Sequence, residues 1–255
     1  ILGSILQLIE DHPQRFLAAS DYRPAVEKNY PQQIGHQRQQ TPYHLPQRGL
    51  ARQIGAIAGG IDAGQHDLAV ACRHQLSGLI DAALADPAVK GVIITSGKAD
   101  FAGGMDLNVI AQMRAGGAAA IFEGVMQMHK VLRKIERAGM DPKTLKGGKP
   151  IVAALPGTAL GIGLELPLSC HRIIAADNPK AKIGLPEIMV GIFPGAGGTT
   201  RLSRKLGAMM AAPFLLEGKL SDPKSAKAAG IIDEVVADPV EAARAWVLGA
   251  KDADL

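Results

Sequence analysis

The chain is 255 residues long, 47% hydrophobic and 20% charged, enough for one large domain with a substantial core. Its net charge of +4 suits an anionic small molecule as well as nucleic acid and decides between neither, whereas 4% aromatics leave little for stacking on bases. Two cysteines, Cys72 and Cys170, give no disulfide framework and no CxxC metal spacing, which points to a reducing, cytoplasmic setting; no apolar run reaches the length of a membrane span, and the start at Ile1 fits a fragment.

In chain order, Ile1, Ile5, Leu8 and Ile9 give residues 1–12 one apolar face and predict a short helix. From Tyr30 to Gln53 the text is rich in Gln, His, Arg and Pro, with neither a period of two nor one of 3.6. Residues 1–70 therefore read as an atypical, weakly ordered segment, and 71–255 as the domain. Leu76, Leu79, Ile80, Ala83 and Leu84 repeat at helical spacing up to Asp86-Pro87. Gly91–Gly97 is a buried strand bounded by glycines, followed by a loop and a helix at about 105–113. A second amphipathic helix covers 118–138. Ile151–Leu155 and Arg172–Ala176 are strands, with a short helix at about 163–169 between them. After a short extended piece at Ala181–Gly184, helices run from the Gly195–Gly198 turn to about Leu206 and over 208–217. Ser221 and Pro223 start another helix, ending at Ala229. Ile231–Val236 is a short strand, and Asp238-Pro239-Val240-Glu241 caps a last helix. Strands alternating with helices make the class α/β.

Three small-residue turns carry the chemistry. Phe101-Ala102-Gly103-Gly104-Met105-Asp106 follows a strand, at the end of the sheet where α/β proteins place ligands. Gly161-Ile162-Gly163-Leu164-Glu165 opens a helix, whose free N–H groups and partial positive charge can hold a carbonyl oxygen as it gains negative charge. Taken alone it reads as an ordinary strand-to-helix turn with a glutamate in the first turn, and it lacks the third glycine of a dinucleotide fingerprint. Pro186-Glu187 by itself reads as a solvated turn. Its company changes that: Glu187 lies 22 positions after Glu165, across one strand, and the Pro194–Gly198 run starts a helix beside it. Two carboxylates converging on one site can handle a proton and a water together. Lys130, Arg133, Lys134 and Arg137 share a helix face, usually a solvated one, with a secondary capacity to receive a phosphorylated ligand. His129 and His171 have no partners at metal-ligand spacing and read as surface or satisfied histidines, and Cys170 as a packing residue.

Together these turns resemble the crotonase (enoyl-CoA hydratase/isomerase) superfamily, most closely the hydratase half of multifunctional fatty-acid β-oxidation proteins that also carry a 3-hydroxyacyl-CoA dehydrogenase. The carrying text is Val92–Gly97 with Phe101–Leu107, then Lys149–Ala154 with Ala159–Leu166, then Ile183–Glu187 through Arg201-Leu202, in the family's order over about residues 75–250. The resemblance implies a crotonase-like (ClpP/crotonase) fold of repeated ββα units with C-terminal helices. It implies an acyl-CoA thioester substrate, no cofactor and no metal, coenzyme A being part of the substrate. Partners would be further copies of the chain or a thiolase subunit, not nucleic acid or membrane. By motif position the backbone N–H groups of Gly103 and Ile162 would form the oxyanion hole. Glu165 would activate water, and Glu187 would protonate the α-carbon. Phe101, Ala102, Gly104, Met105, Asp106, Gly161, Pro186 and Gly195 would line the substrate.

The implied activity is enoyl-CoA hydration. Its rivals are Δ3–Δ2 isomerisation or another crotonase chemistry, and a catalytically silent CoA-binding or assembly module. Two departures from the family bear on this. Ile162 stands where glycine is usual, so a Cβ crowds the turn. The family's two N-terminal strands are replaced by the Gln/His/Arg/Pro text, as if by a frame-shifted or misjoined segment. No GxGxxG of a second domain is present, so no dehydrogenase half is encoded in these residues.

Overall fold

A computed structural model describes residues 4–10, 54–57, 68–105 and 115–255. Its main sheet has six strands: β1 (Ser4–Glu10), β2 (Ile54–Ile57), β3 (Val89–Ser96), β4 (Ile151–Leu155), β6 (Arg172–Ala176) and β9 (Glu234–Val236), in the order β2-β1-β3-β4-β6-β9. The four strands from β3 to β9 are parallel, and β1 joins them antiparallel to both β3 and β2. A small second sheet, in the order β5-β7-β8, holds β5 (Ala159–Leu160), β7 (Ile183–Gly184) and β8 (Leu220–Ser221).

Parallel strands covered on both faces read as continuous apolar runs, and side chains then alternate between two cores. Val92, Ile94, Ile151, Ala153, Leu155, Ile173 and Ala175 enter a large core. Ile93, Val152, Ala154 and Ile174 point the other way and meet Ala243 and Val247 of α7 (Pro239–Gly249). The large core is shared with α1 (Leu68–Ala85) and α2 (Gly117–Arg137), through Ile80 and Ala83 and through Leu132 and Ile135. It also takes in Leu164 of α3 (Ile162–Glu165), Leu202 of α4 (Gly198–Leu206), Ala211 and Phe214 of α5 (Ala208–Leu216) and Ala226 of α6 (Pro223–Ala228).

Most predicted elements are found within a few residues of their place, and four differ. The short helix expected over 1–12 is instead strand β1, because its backbone pairs along β3 from Ser4↔Ser96 to Glu10↔Val89. Residues 54–57, within the stretch read as weakly ordered, form a strand as well, whereas the Gln/His/Arg/Pro text of 30–53 and the helix at 105–113 lie outside the described residues. The α6 cap is Asp222 rather than Ser221: its carboxylate accepts from Lys224 N and Ser225 N, while Ser221 belongs to β8. The helix expected over 163–169 stops as an α-helix at Glu165 and continues as a 3₁₀ turn from Pro167, whose ring supplies no N–H. The α7 cap is as the sequence reads: Asp238 accepts from Val240 N and Glu241 N, with Pro239 first in the helix.

Candidate active site

The site lies where β3 and β4 end. The loop after β3 is tied to the one after β4: Thr158 O accepts from Phe101 N and Ala102 N, Leu160 N donates to Ala102 O, and Asp100 Oδ1 accepts from Thr158 N at 2.8 Å. That last bond holds the Asp100 carboxyl below its ordinary range. Phe101 and Ala102 bury their side chains in the large core, so this turn can offer a ligand little beyond the backbone from Gly103 onward. Gly103 is exposed, and its N–H meets no acceptor among the described residues. Gly104 and Met105 are half-buried beside it, and Asp106 lies outside the described residues.

The second turn is pressed against the first. A Cβ on Gly163 would sit 2.6 Å from both the carbonyl oxygen and the Cβ of Ala102, so only hydrogen fits. Gly161 takes φ +56°, donates its N–H to Gly184 O and turns the chain into α3. Ile162 is the first residue of that helix, and its N–H also meets no acceptor among the described residues. The side chain expected to crowd the turn packs against the large core, and Ile162 is not among the residues of positive φ. Isoleucine therefore carries no backbone strain there, and the helix geometry leaves its N–H available.

Glu165 ends α3 and is 3% exposed. Its Oε1 accepts from Gly198 N at 2.8 Å, and the N–H of Ala196 also favours its ionised form. Burial is the largest influence and, with the charge of Glu187, pushes the carboxyl up to about 7, against the pull of the Gly198 and Ala196 N–H groups and of Arg201. Glu187 lies in a 3₁₀ turn, Pro186–Val190. It is half-buried, its carboxyl is raised by burial, and its Oε2 has no hydrogen-bond partner among the described residues. Its Oε1 lies 3.2 Å from where a Cβ on Gly161 would be, and the Gly104 Cα lies 3.7 Å from that point. The structure thus brings together the Gly103-Gly104 turn, the Gly161-Ile162 turn and both glutamates. Pro186 opens the turn that carries Glu187.

The carbonyl of Gly195, a residue expected to line the substrate, accepts from His129 Nε2 at 2.7 Å. His129 and His171 are both engaged by backbone, His171 Nδ1 accepting from Ile151 N at 2.9 Å. Gly198 escaped the sequence reading as a ligand of Glu165, although the paired glycines before α4 were its signal. The basic face of α2 is partly used internally, because Lys134 Nζ sits 2.6 Å from both Asp81 Oδ2 and Ser77 Oγ, and Arg133 pairs with Glu136. The Cys170 thiol is raised by burial, as a packing residue's would be. Among the described residues no group of three or more His, Cys, Asp or Glu could hold a metal, and no helix is long and apolar enough to cross a membrane.

Residues 66–252 match the family described as enoyl-CoA hydratase/isomerase, and the chain belongs to that family. Among curated proteins it is similar to the fatty acid oxidation complex subunit alpha of Shewanella amazonensis, at 34% identity over 65% of this chain and 22% of the relative. The subunit of the same name from Shewanella putrefaciens is 36% identical over 64% of this chain and 22% of the relative. The chain therefore spans about a fifth of the length of these curated relatives. Among solved structures, an enoyl-CoA hydratase from Bacillus anthracis superposes with a TM-score of 0.59 at 28% identity, covering 72% of this chain and 68% of that one. An enoyl-CoA hydratase from Thermoplasma volcanium gives a TM-score of 0.60 at 26% identity, covering 75% and 71%. The α/β fold is thus crotonase-like, as the motifs implied.

Proposed function

We propose that this member of the enoyl-CoA hydratase/isomerase family adds water to a 2-enoyl-CoA, giving a 3-hydroxyacyl-CoA in fatty-acid β-oxidation, as the hydratase part of a multifunctional protein. The observation that carries the reading is the pair of buried or half-buried glutamates, coupled in charge, beside two backbone N–H groups with no acceptor among the described residues. In the proposed reaction the N–H groups of Gly103 and Ile162 hold the thioester oxygen as it becomes an enolate, each such donor being worth about 3–4 kcal/mol. Ionised Glu165 takes a proton from water while the water oxygen bonds the β-carbon. Protonated Glu187 gives its proton to the α-carbon, and proton exchange with solvent restores both groups. A carboxyl titrating near 7, as Glu165 does, can act as a base at neutral pH, and burial raises the Glu187 carboxyl as well.

Residues 71–255 are the catalytic unit in this reading. Water and the thioester are the only reactants, so no cofactor is required beyond the coenzyme A of the substrate. The relatives are named as the alpha subunit of a complex, which supports assembly with other subunits; a thiolase subunit or further copies of the chain are the proposed partners, and the cytoplasm the proposed location.

The test is the absorbance of crotonyl-CoA and of a longer 2-enoyl-CoA with purified protein. Loss of the conjugated enoyl signal is expected, and should collapse in Glu165→Gln. A variant that keeps full hydration would remove Glu165 from the mechanism. Coenzyme A binding without turnover on any enoyl-CoA would make the chain a silent binding module, and turnover of a 3-enoyl-CoA alone would make it an isomerase.

A further inference from the structure

Two peptide units of one turn act on Glu165, and each of those units is itself held from behind. The Ala196 N–H, which favours the ionised form of Glu165, belongs to the same peptide plane as the Gly195 carbonyl, which accepts from His129 Nε2 at 2.7 Å. The Gly198 N–H that bonds Glu165 Oε1 at 2.8 Å shares its plane with the Gly197 carbonyl, which accepts from Arg201 N at 2.9 Å. Between them, the Ala196 carbonyl accepts from Arg201 Nη1 at 3.2 Å, and Arg201 Nη2 reaches Glu136 Oε2 of α2 at 3.2 Å. A peptide unit is planar and trans, so fixing the direction of its C=O fixes that of its N–H, on the opposite side.

We propose that His129 is a positioning residue for Glu165: by holding the Gly195 carbonyl it aims the Ala196 N–H at the Glu165 carboxylate, with Arg201 locking the next peptide of the same turn. His129 lies 36 positions before Glu165 on α2, touches none of the groups assigned to the reaction, and acts only through the backbone of the 195–198 turn. Because a carbonyl is a pure acceptor, Nε2 must carry the proton in this contact. The inference rests on the proposed role of Glu165, but its geometry does not require that enoyl-CoA be the substrate.

The charged groups facing Glu165 are Glu187 from the 3₁₀ turn and Arg201 from α4; Glu136 acts through Arg201. Losing the Ala196 N–H removes a donor that favours the ionised form, so the Glu165 carboxyl moves above about 7. The acid limb of kcat should therefore move to higher pH in His129→Leu. At pH 7, kcat should fall about tenfold with KM within about twofold, the scale expected when a general base is slightly misplaced. Part of that loss should return as pH rises. His129→Gln, whose amide can still donate to Gly195 O, should recover the wild-type limb.

The deciding measurement is the ¹³C carboxyl titration of Glu165 in the full chain, its signal assigned by its loss in Glu165→Gln. An upward-shifted midpoint in His129→Leu, restored in His129→Gln, is expected. If His129→Leu does not fold, His129→Asn, polar but too short to reach Gly195, takes its place with the same expectation. An unshifted Glu165 midpoint, or a loss of kcat that is the same at every pH, overturns the proposal. This titration reads the clamp whether or not the protein hydrates enoyl-CoA, so failure of the hydratase reading and failure of the clamp give different results.

Discussion

Replacing Glu165 by Gln separates what the site costs the fold from what it does. The Glu165 carboxyl is raised from 4.5 to about 7, chiefly by burial. In the unfolded chain it ionises near 4.5. Between about pH 4.5 and 7 the folded protein therefore keeps a proton that the unfolded chain has lost. Stability falls with rising pH across that window, and the whole penalty is present above pH 7. The gap between 4.5 and about 7 corresponds to about 3 kcal/mol. Gln has nearly the same shape, can still accept from Gly198 N, and carries no charge to bury. Glu165→Gln should match the wild type near pH 4.5 and exceed it in stability by up to about 3 kcal/mol at pH 8, while losing hydration. Urea unfolding followed by circular dichroism at pH 4.5, 6 and 8, analysed as a difference between the two proteins, measures this directly. A difference that does not grow with pH, or a wild type more stable than the variant at pH 8, refutes the reasoning.

Three further outcomes test other parts of the structure. Gly163→Ala places a methyl 2.6 Å from the Ala102 carbonyl oxygen and Cβ, and should cost about 2–3 kcal/mol of stability in denaturant while lowering kcat, since it forces the two N–H-bearing turns apart. Asp238→Ala removes the acceptor for Val240 N and Glu241 N and should cost about 1 kcal/mol without changing kcat. Leu145, exposed and at φ +55°, should gain about 0.5 kcal/mol on replacement by Gly, which adopts that conformation freely; a lower denaturation midpoint would count against it.

The sequence is legible where a segment's own residues decide its structure. Ile151–Leu155 is an unbroken apolar run because both faces of β4 are covered, and Asp238-Pro239 caps α7 through its own side chain. Asp222-Pro223 carries the same signature one helix earlier, directly after Ser221, a residue type that caps equally well. Residues 4–10 could not be read locally: apolar residues at 5, 6, 8 and 9 suit a helix stripe as well as a strand, and pairing with β3, some 85 positions away, settles it. The two glutamates stood out because each sits in a glycine-rich frame. What holds Glu165 did not, since His129, Ala196 and Gly198 meet only once α2 packs beside the turn before α4.

The two glutamates differ in a way that composition cannot show. Both are raised by burial, yet Glu165 accepts from the Gly198 N–H, is drawn toward its ionised form by the Ala196 N–H and faces Arg201, whereas Glu187 Oε2 has no partner among the described residues. Donors fixed on a carboxylate favour its ionised form and fix its direction, which suits a base that must aim a water. A carboxyl with an oxygen that meets no donor can turn toward the atom it protonates. Ionised Glu165 also raises the cost of ionising Glu187, because the two charges repel across one site. The pair therefore favours holding one proton between them, and the proposed addition of water begins from the state in which that proton is on Glu187.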